Sequence, residues 1–224
     1  MPENKIRTVL FDLAGTLVDT APDMVGALNQ LLAEENQPEV ALTQARNHVS
    51  HGSAALVRLG FGEQQQDADY QRRIKRFLAI YESRLCEQSG LFPGMDELLI
   101  AVENSGKNWG VVTNKPGWLT DPLMESLNLN QRSICVISGD SVAERKPHPL
   151  PMLTAAELAG SHPRECIYLG DAERDIQAGK AASMHTLIAN WGYIDDSQRP
   201  SDWGADGDIN TPLETLKWLN RPAA

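Results

Sequence analysis

The chain has few cysteines, and their spacing suits neither a metal site nor a disulfide framework. Cys86, Cys135 and Cys166 are widely spaced and odd in number, and the sequence holds no C-x-x-C pair or cysteine–histidine cluster. This pattern is typical of cysteines that serve as small buried hydrophobic side chains in a reducing cytoplasm. We therefore expect no structural disulfide and no cysteine-ligated metal.

Long apolar segments and an excess of positive charge are also missing. No hydrophobic run approaches the roughly 20 residues of a transmembrane helix, and the first residues, MPENK, do not resemble a signal peptide. Aspartate and glutamate number 30 against 20 lysines and arginines, which gives a net charge of −10. This balance argues against a nucleic-acid-binding surface. We expect a cytoplasmic protein without nucleic-acid or membrane partners, as a monomer or homodimer.

Short apolar segments alternate with amphipathic stretches along most of the chain. Five segments are typical of strands buried on both faces: 6–11, 109–113, 134–138, 166–170 and 186–189. Helical patterns follow or precede them at 95–102, after Pro116, at 172–182, and at Leu213, Leu216 and Leu219 behind Pro212. This alternation predicts an α/β fold, a Rossmann-like parallel sheet with right-handed crossovers.

Residues 21–90 interrupt the alternation because they contain no convincing strand. Apolar residues recur there with helical spacing, in one group at 24–32 and in another at Tyr70, Ile74, Phe77, Tyr81 and Leu85. We expect a helical cap domain at 21–90, inserted into a core domain formed by 1–20 and 91–224. Such an insertion can act as a lid that excludes water and recognises a substrate. The alternative is a purely structural subdomain.

The first predicted strand ends on a carboxylate, Asp12, which precedes the turn Ala14-Gly15-Thr16. Open α/β sheets place their active sites at the carboxyl ends of parallel strands. A carboxylate there can attack phosphorus and can also bind Mg²⁺. Taken alone the pattern is weak, because many turns contain aspartate and glycine.

Two further segments offer groups that suit a phosphate. Thr113 follows a predicted strand and precedes a helix, so its hydroxyl and nearby N–H groups can bind an anion; it can also be an ordinary helix cap. Lys146 lies in the proline-rich loop Lys146-Pro147-His148-Pro149. Near Asp12 it would neutralise charge on a phosphoryl group; otherwise it is a solvated loop lysine, and His148 a loop residue.

The segment Gly170-Asp171-Ala172-Glu173-Arg174-Asp175 carries a pair of acids at helical spacing. Asp171 and Asp175 are four residues apart, so a helix beginning here places both on one face. Their oxygens suit Mg²⁺, although acids also stabilise helix N-termini. We expect Glu173 and Arg174 to face solvent.

In order and spacing, these segments resemble the four motifs of the haloacid dehalogenase superfamily of phosphohydrolases. The resemblance covers essentially the whole chain, including a helical cap between the first two motifs. It implies a Mg²⁺-dependent phosphatase with Asp12 as the nucleophile. It also implies Mg²⁺ held by Asp12, Asp171 and the backbone carbonyl of Ala14, with Asp175 outside the inner ligands or bridging through water, and phosphate bound by Thr113, Lys146 and Asn114.

Ala14 departs from this family pattern, which has an aspartate there as general acid and base. A methyl group cannot move protons, and such catalysis typically contributes about 10²–10⁴-fold, or roughly 3–5 kcal/mol of barrier. We interpret Ala14 as an engineered Asp-to-Ala change that impairs turnover. The alternatives are a natural pseudo-phosphatase that only binds its ligand, and a phosphonoacetaldehyde hydrolase. Phosphonoacetaldehyde hydrolases carry alanine at this position but need a lysine in the cap. Lys75 is the only lysine within 21–90.

Within the superfamily the chain is similar to phosphoglycolate phosphatases and to N-acetylmuramic acid 6-phosphate phosphatases of peptidoglycan recycling. The residues that carry this similarity are LFPGM at 91–95, WGVVTNKP at 109–116 and NWGYI at 190–194. The segment DWGAD at 202–206 favours the muramic acid type. Both substrates are small phosphate esters that bear a carboxylate. His51, Gly52 and Arg58 in the cap are candidates for binding it, with surface or hinge roles as the alternative.

Overall fold

The computed structural model describes residues 5–62 and 68–219. Residues 1–4 and 63–67, which the sequence places in the core and cap domains, lie outside the described part, as do 220–224. The chain divides into two compact units, Met1–Val18 with Leu91–Ala224, and Asp19–Gly90. We call them the core unit and the inserted unit.

The core unit is built on a six-stranded parallel sheet. Its strands are β1 (Thr8–Phe11), β4 (Asn108–Val112), β5 (Val136–Ile137), β6 (Cys166–Gly170), β7 (His185–Ala189) and β8 (Gly207–Ile209), and their order is β5-β4-β1-β6-β7-β8. All neighbouring strands pair in parallel. The predicted α/β class is confirmed. Two further short strands, β2 (Val18–Asp19) and β3 (Gly90–Leu91), form a separate sheet.

In the described part of the core unit, four helices accompany the sheet: α5 (Met95–Asn104), α6 (Gly117–Ser126), α7 (Leu150–Leu158) and α8 (Glu173–Ala181). Apolar side chains of the sheet are buried along β1, β6 and most of β4 and β7, as expected of strands covered on both faces. Cys135 and Cys166 belong to this core.

Several details of the core unit differ from the prediction, among them α7, for which no helix was predicted. β8 was missed because Gly207–Ile209 holds a single large apolar residue and gives no strand pattern. The predicted C-terminal helix is a 3₁₀ segment, Pro212–Lys217, whose buried positions are Pro212 and Thr215, with Trp218 following. Leu213 is instead exposed. Of the other two predicted residues, Leu216 is half-buried and Leu219 is buried, so the predicted apolar face is confirmed in part.

The inserted unit is helical, with α1 (Ala21–Glu34), α2 (Leu42–Ala45), α3 (Gly52–Phe61) and α4 (Ala68–Ser83), and a 3₁₀ segment at Arg46–His51. The predicted apolar face of α4 is buried at Tyr70, Phe77 and Tyr81, whereas Leu85 lies beyond the end of the helix. A buried carboxylate, Asp23, accepts hydrogen bonds from Gln88 and Ser89 and so ties α1 to the end of this unit. None of the helices in the described part of the chain has the length and hydropathy that crossing a bilayer requires.

Candidate active site

The ends of three adjacent strands bring the predicted site residues to one edge of the sheet. β1 lies between β4 and β6, and Phe11 is level with Val111 and Leu169. Asp12 extends β1 by one residue, and its N–H donates to the Leu169 carbonyl at 2.8 Å. Thr113 and Asp171 follow β4 and β6 directly. Parallel strands with matched registers therefore place these three residues at the same edge of the sheet.

Three buried carboxylates form the centre of this edge. Asp12, Asp171 and Asp175 each have an oxygen within 4.8 Å of the others. Burial raises the pKa of Asp175, and the attraction of Lys146 acts in the opposite direction. Clustered buried carboxylates are unfavourable unless cations offset them.

Lys146 provides part of the compensating charge. Its side chain is 1% exposed, and Nζ lies 2.7 Å from Asp12 Oδ1 and 2.7 Å from Asp175 Oδ1. The oxygen donors of Asp12, Asp171 and Asp175 are of the type that a hard divalent cation prefers. The residues present therefore fit a divalent cation beside the lysine.

Asn114 connects the loop after β4 to the lysine loop. Its Nδ2 donates to the Lys146 carbonyl at 2.9 Å, and its Oδ1 accepts from the Lys146 N–H at 3.0 Å. The peptide bond that follows, Lys146–Pro147, is cis. The amide of Asn114 is thus engaged in holding the backbone of Lys146, and its predicted contact with phosphate stays a prediction.

Thr113 is buried at the end of β4, where its Oγ1 accepts from the Lys115 N–H at 3.2 Å. In the first loop, Ala14 is partly exposed between the buried residues Leu13 and Gly15. Gly15 has a φ of +97°, and a side chain there would come within 2.8 Å of Asp171 Cγ. The loop therefore needs glycine at 15, while position 14 has one side open to solvent.

The comparisons with known proteins agree with this geometry. Residues 9–189 match the family model described as haloacid dehalogenase-like hydrolase. The chain belongs to this family. It is 42% identical to a phosphoglycolate phosphatase of Xylella fastidiosa, over 99% of this chain and 97% of the relative. It is 37% identical to an N-acetylmuramic acid 6-phosphate phosphatase of Pseudomonas putida, over 96% of this chain and 97% of the relative.

A solved structure extends the agreement to the fold. The crystal structure described as a predicted phosphoglycolate phosphatase from Haemophilus somnus 129pt superposes with a TM-score of 0.83 at 25% identity, and covers 95% of this chain and 97% of that one. The relatives of this haloacid dehalogenase-like hydrolase therefore support its assignment as a phosphatase.

One buried residue at the centre of the hydrolase site, Tyr168, was not predicted. Tyr168, in the middle of β6, is fully buried, and its hydroxyl lies 2.7 Å from Lys146 Nζ and 2.8 Å from the Val112 carbonyl oxygen. Burial, and then the charges of Asp175 and Asp12, raise the pKa of Tyr168 well above its ordinary value, so the hydroxyl stays protonated. A tyrosine within an otherwise apolar buried strand was the available signal, because a buried hydroxyl needs a partner.

Two cations near the carboxylates were also missed or misplaced. The expectation that Arg174 faces solvent is wrong: it is half-buried, whereas Glu173 is exposed. Burial opposes the charged form of Arg174, but Asp175, Asp12 and Asp171 outweigh it and raise its pKa. Burial lowers the pKa of Lys115 to about 8, with Asp12 acting in the opposite direction.

Two of the three candidate residues of the inserted unit, His51 and Gly52, lie at the start of α3, whereas Arg58 lies in its last turn. His51 is exposed and ends the 3₁₀ segment, and Gly52 begins α3 with a φ of +79°. Arg58 is exposed, and its guanidinium lies 5.6 Å from the centroid of the Tyr70 ring. Their roles in binding a substrate stay predictions.

Proposed function

We propose that the chain is a Mg²⁺-dependent phosphomonoester hydrolase that works through a phosphorylated Asp12. The observation that supports this most strongly is the pairing of Lys146 Nζ with Asp12 and Asp175 within a cluster of three buried carboxylates. When bound by Asp12, Asp171 and the Ala14 carbonyl, with Asp175 behind them, Mg²⁺ would polarise the phosphoryl oxygens.

The remaining steps of the proposal belong to the protein's own groups. A carboxylate oxygen of Asp12 attacks phosphorus while the bond to the leaving alcohol breaks, and the alcohol oxygen leaves with the electron pair. Lys146 and Thr113 bind the oxygens of the transferred group and stabilise its charge. Water then attacks phosphorus, which releases inorganic phosphate and regenerates Asp12.

Ala14 limits both halves of this reaction. The leaving alcohol needs a proton, and the attacking water must lose one. The methyl group of Ala14 can neither donate nor accept a proton. We therefore propose slow turnover with the binding site intact. That Ala14 replaces an aspartate by engineering stays a prediction, which the sequence of the source organism's gene would decide. A natural pseudo-phosphatase would carry an alanine codon there.

We infer a small phosphate ester bearing a carboxylate as the substrate. N-acetylmuramic acid 6-phosphate is the favoured candidate, supported by residues 202–206 and by the Pseudomonas relative. 2-Phosphoglycolate is the alternative, and the higher identity to the Xylella relative favours it. Each ester has one carboxylate, so a carboxylate-binding site suits both. Sequence identity to the two relatives does not choose between them either.

The decisive experiment restores the missing carboxylate with Ala14→Asp. We expect this variant to hydrolyse a generic aryl phosphate and one of the two named esters at least about 10²-fold faster than the unaltered chain. Removal of Mg²⁺ by a chelator should abolish the reaction. Failure to hydrolyse any of the three with Mg²⁺ would contradict the enzyme proposal and favour a binding protein. Cleavage of phosphonoacetaldehyde that depends on Lys75 would instead support the alternative of a phosphonoacetaldehyde hydrolase.

A further inference from the structure

The loop that follows β7 contacts Asp171 although it contains none of the four motifs. The backbone N–H of Tyr193 donates to Asp171 Oδ2 at 2.9 Å. The hydroxyl of Thr16, from the first loop, donates to Asp171 Oδ1 at 3.2 Å. Each oxygen of this carboxylate therefore has its own donor, and the two donors come from different segments of the core unit.

Trp191 connects these two segments. Its indole Nε1–H donates to the Thr16 carbonyl oxygen at 3.0 Å. Thr16 is fully buried, so this bond replaces hydration that the carbonyl cannot have. The indole thus holds the residue whose hydroxyl contacts Asp171.

The loop lies too close to the site for a side chain between Trp191 and Tyr193. A Cβ atom at Gly192 would overlap the side chain of Asp171 and would come within 2.7 Å of the Gly15 carbonyl oxygen. On its other side the loop is supported by Phe92, whose ring centroid is 6.5 Å from that of Trp191 and 6.3 Å from that of Tyr193. Packing and hydrogen bonds together fix the loop against the first loop.

We propose that Trp191 is a positioning residue for the cation site, acting through Thr16 on Asp171. The inference rests on the proposed function, because it assigns Asp171 to the bound cation. A carboxylate held by two donors keeps its orientation before the cation arrives, and partners behind metal ligands typically change affinity about 10–100-fold. Each carboxylate oxygen retains a lone pair for the cation after accepting one hydrogen bond.

The test is calorimetric titration of the metal-free protein with Mg²⁺, which needs no substrate and no turnover. Trp191→Phe removes the indole N–H and keeps an aromatic ring against Phe92. We expect its Kd for Mg²⁺ to rise about tenfold. Trp109→Phe is the matched control, because it removes an indole N–H that donates to Glu103 Oε1 at 2.8 Å. Its Kd should equal that of the unaltered chain.

A second variant distinguishes positioning from general destabilisation. Thr16→Val removes the hydroxyl bond to Asp171 and keeps the shape of the side chain. Because both variants break one chain of hydrogen bonds, we expect the effect of Trp191→Phe on Kd to shrink markedly in the Thr16→Val background. If Trp191→Phe does not fold, a Kd for Thr16→Val within twofold of the unaltered chain contradicts the inference.

The possible outcomes separate this inference from the proposed function. If the unaltered chain binds no Mg²⁺, the cation site of the proposed function is wrong. If it binds Mg²⁺ and Trp191→Phe binds it equally well, only the positioning role is wrong. The positioning role is also wrong if Trp109→Phe weakens Mg²⁺ binding as much as Trp191→Phe does. It is wrong, too, if the effects of Trp191→Phe and Thr16→Val on the binding free energy are additive.

Discussion

Replacing Tyr168 with phenylalanine tests how the charge of Lys146 is satisfied within the core. Nζ has three hydrogens and four oxygen neighbours within 2.8 Å: Asp12, Asp175, the Val112 carbonyl and the Tyr168 hydroxyl. In the unaltered chain the tyrosine accepts one of these hydrogens and donates its own to Val112. Tyr168→Phe removes this hydroxyl, but three oxygen neighbours remain for the three hydrogens of Nζ.

The geometry sets the size of the effect. A buried ammonium left with an unpaired N–H would cost about 1.5–3 kcal/mol, in the range of hydrogen bonds to charged groups. In Tyr168→Phe, however, the freed hydrogen can turn to the Val112 carbonyl at 2.8 Å. The net loss is then one neutral hydrogen bond, about 1 kcal/mol. We therefore expect the free energy of unfolding to fall by about 1 kcal/mol.

Urea unfolding followed by circular dichroism measures this difference, provided that both proteins unfold in two states with equal m-values. In the Ala14→Asp background, activity should change little because Lys146 keeps its contact with Asp12. A destabilisation above about 3 kcal/mol would refute the reasoning, because it would mean that Lys146 has no replacement partner.

One further substitution and one chemical modification probe the charges around the nucleophile. Lys146→Met should lower the free energy of unfolding by about 3–5 kcal/mol, as expected when a buried ion pair loses one partner, and urea unfolding measures it; a loss below about 1 kcal/mol would contradict the buried pairing with Asp12 and Asp175. Because burial lowers the pKa of Lys115 to about 8, its acetylation in the metal-free protein should reach half of its maximal rate near pH 8, as followed by mass spectrometry. A midpoint near the ordinary lysine value of about 10.4 would contradict its burial.

The sequence predicted the sheet and the meeting of the strand ends because both depend on short local patterns. Buried parallel strands appear as apolar runs, and their carboxyl ends necessarily share one edge. Asp12 and Lys146 are 134 residues apart, yet each follows from its own segment and from the order of the segments. β8 lacked such a pattern and was missed.

The contacts that refine the site depend on geometry that no local pattern contains. Whether the hydroxyl of Tyr168 reaches Lys146, and whether Arg174 turns toward carboxylates or solvent, depends on how elements far apart in the chain pack together. The same holds for Trp191, whose bond to Thr16 spans 175 residues.

The most direct test of the central claim uses the unaltered chain with an aryl phosphate and Mg²⁺. An aryl oxide leaves without needing a proton, so phosphoryl transfer to Asp12 can proceed while the missing base slows hydrolysis of the product. We expect a burst of about one equivalent of phenol per protein, with one phosphoryl group found on Asp12 by mass spectrometry of the acid-quenched protein. Asp12→Asn should show neither. Absence of the burst and of the label, or a label on another residue, would contradict Asp12 as the nucleophile.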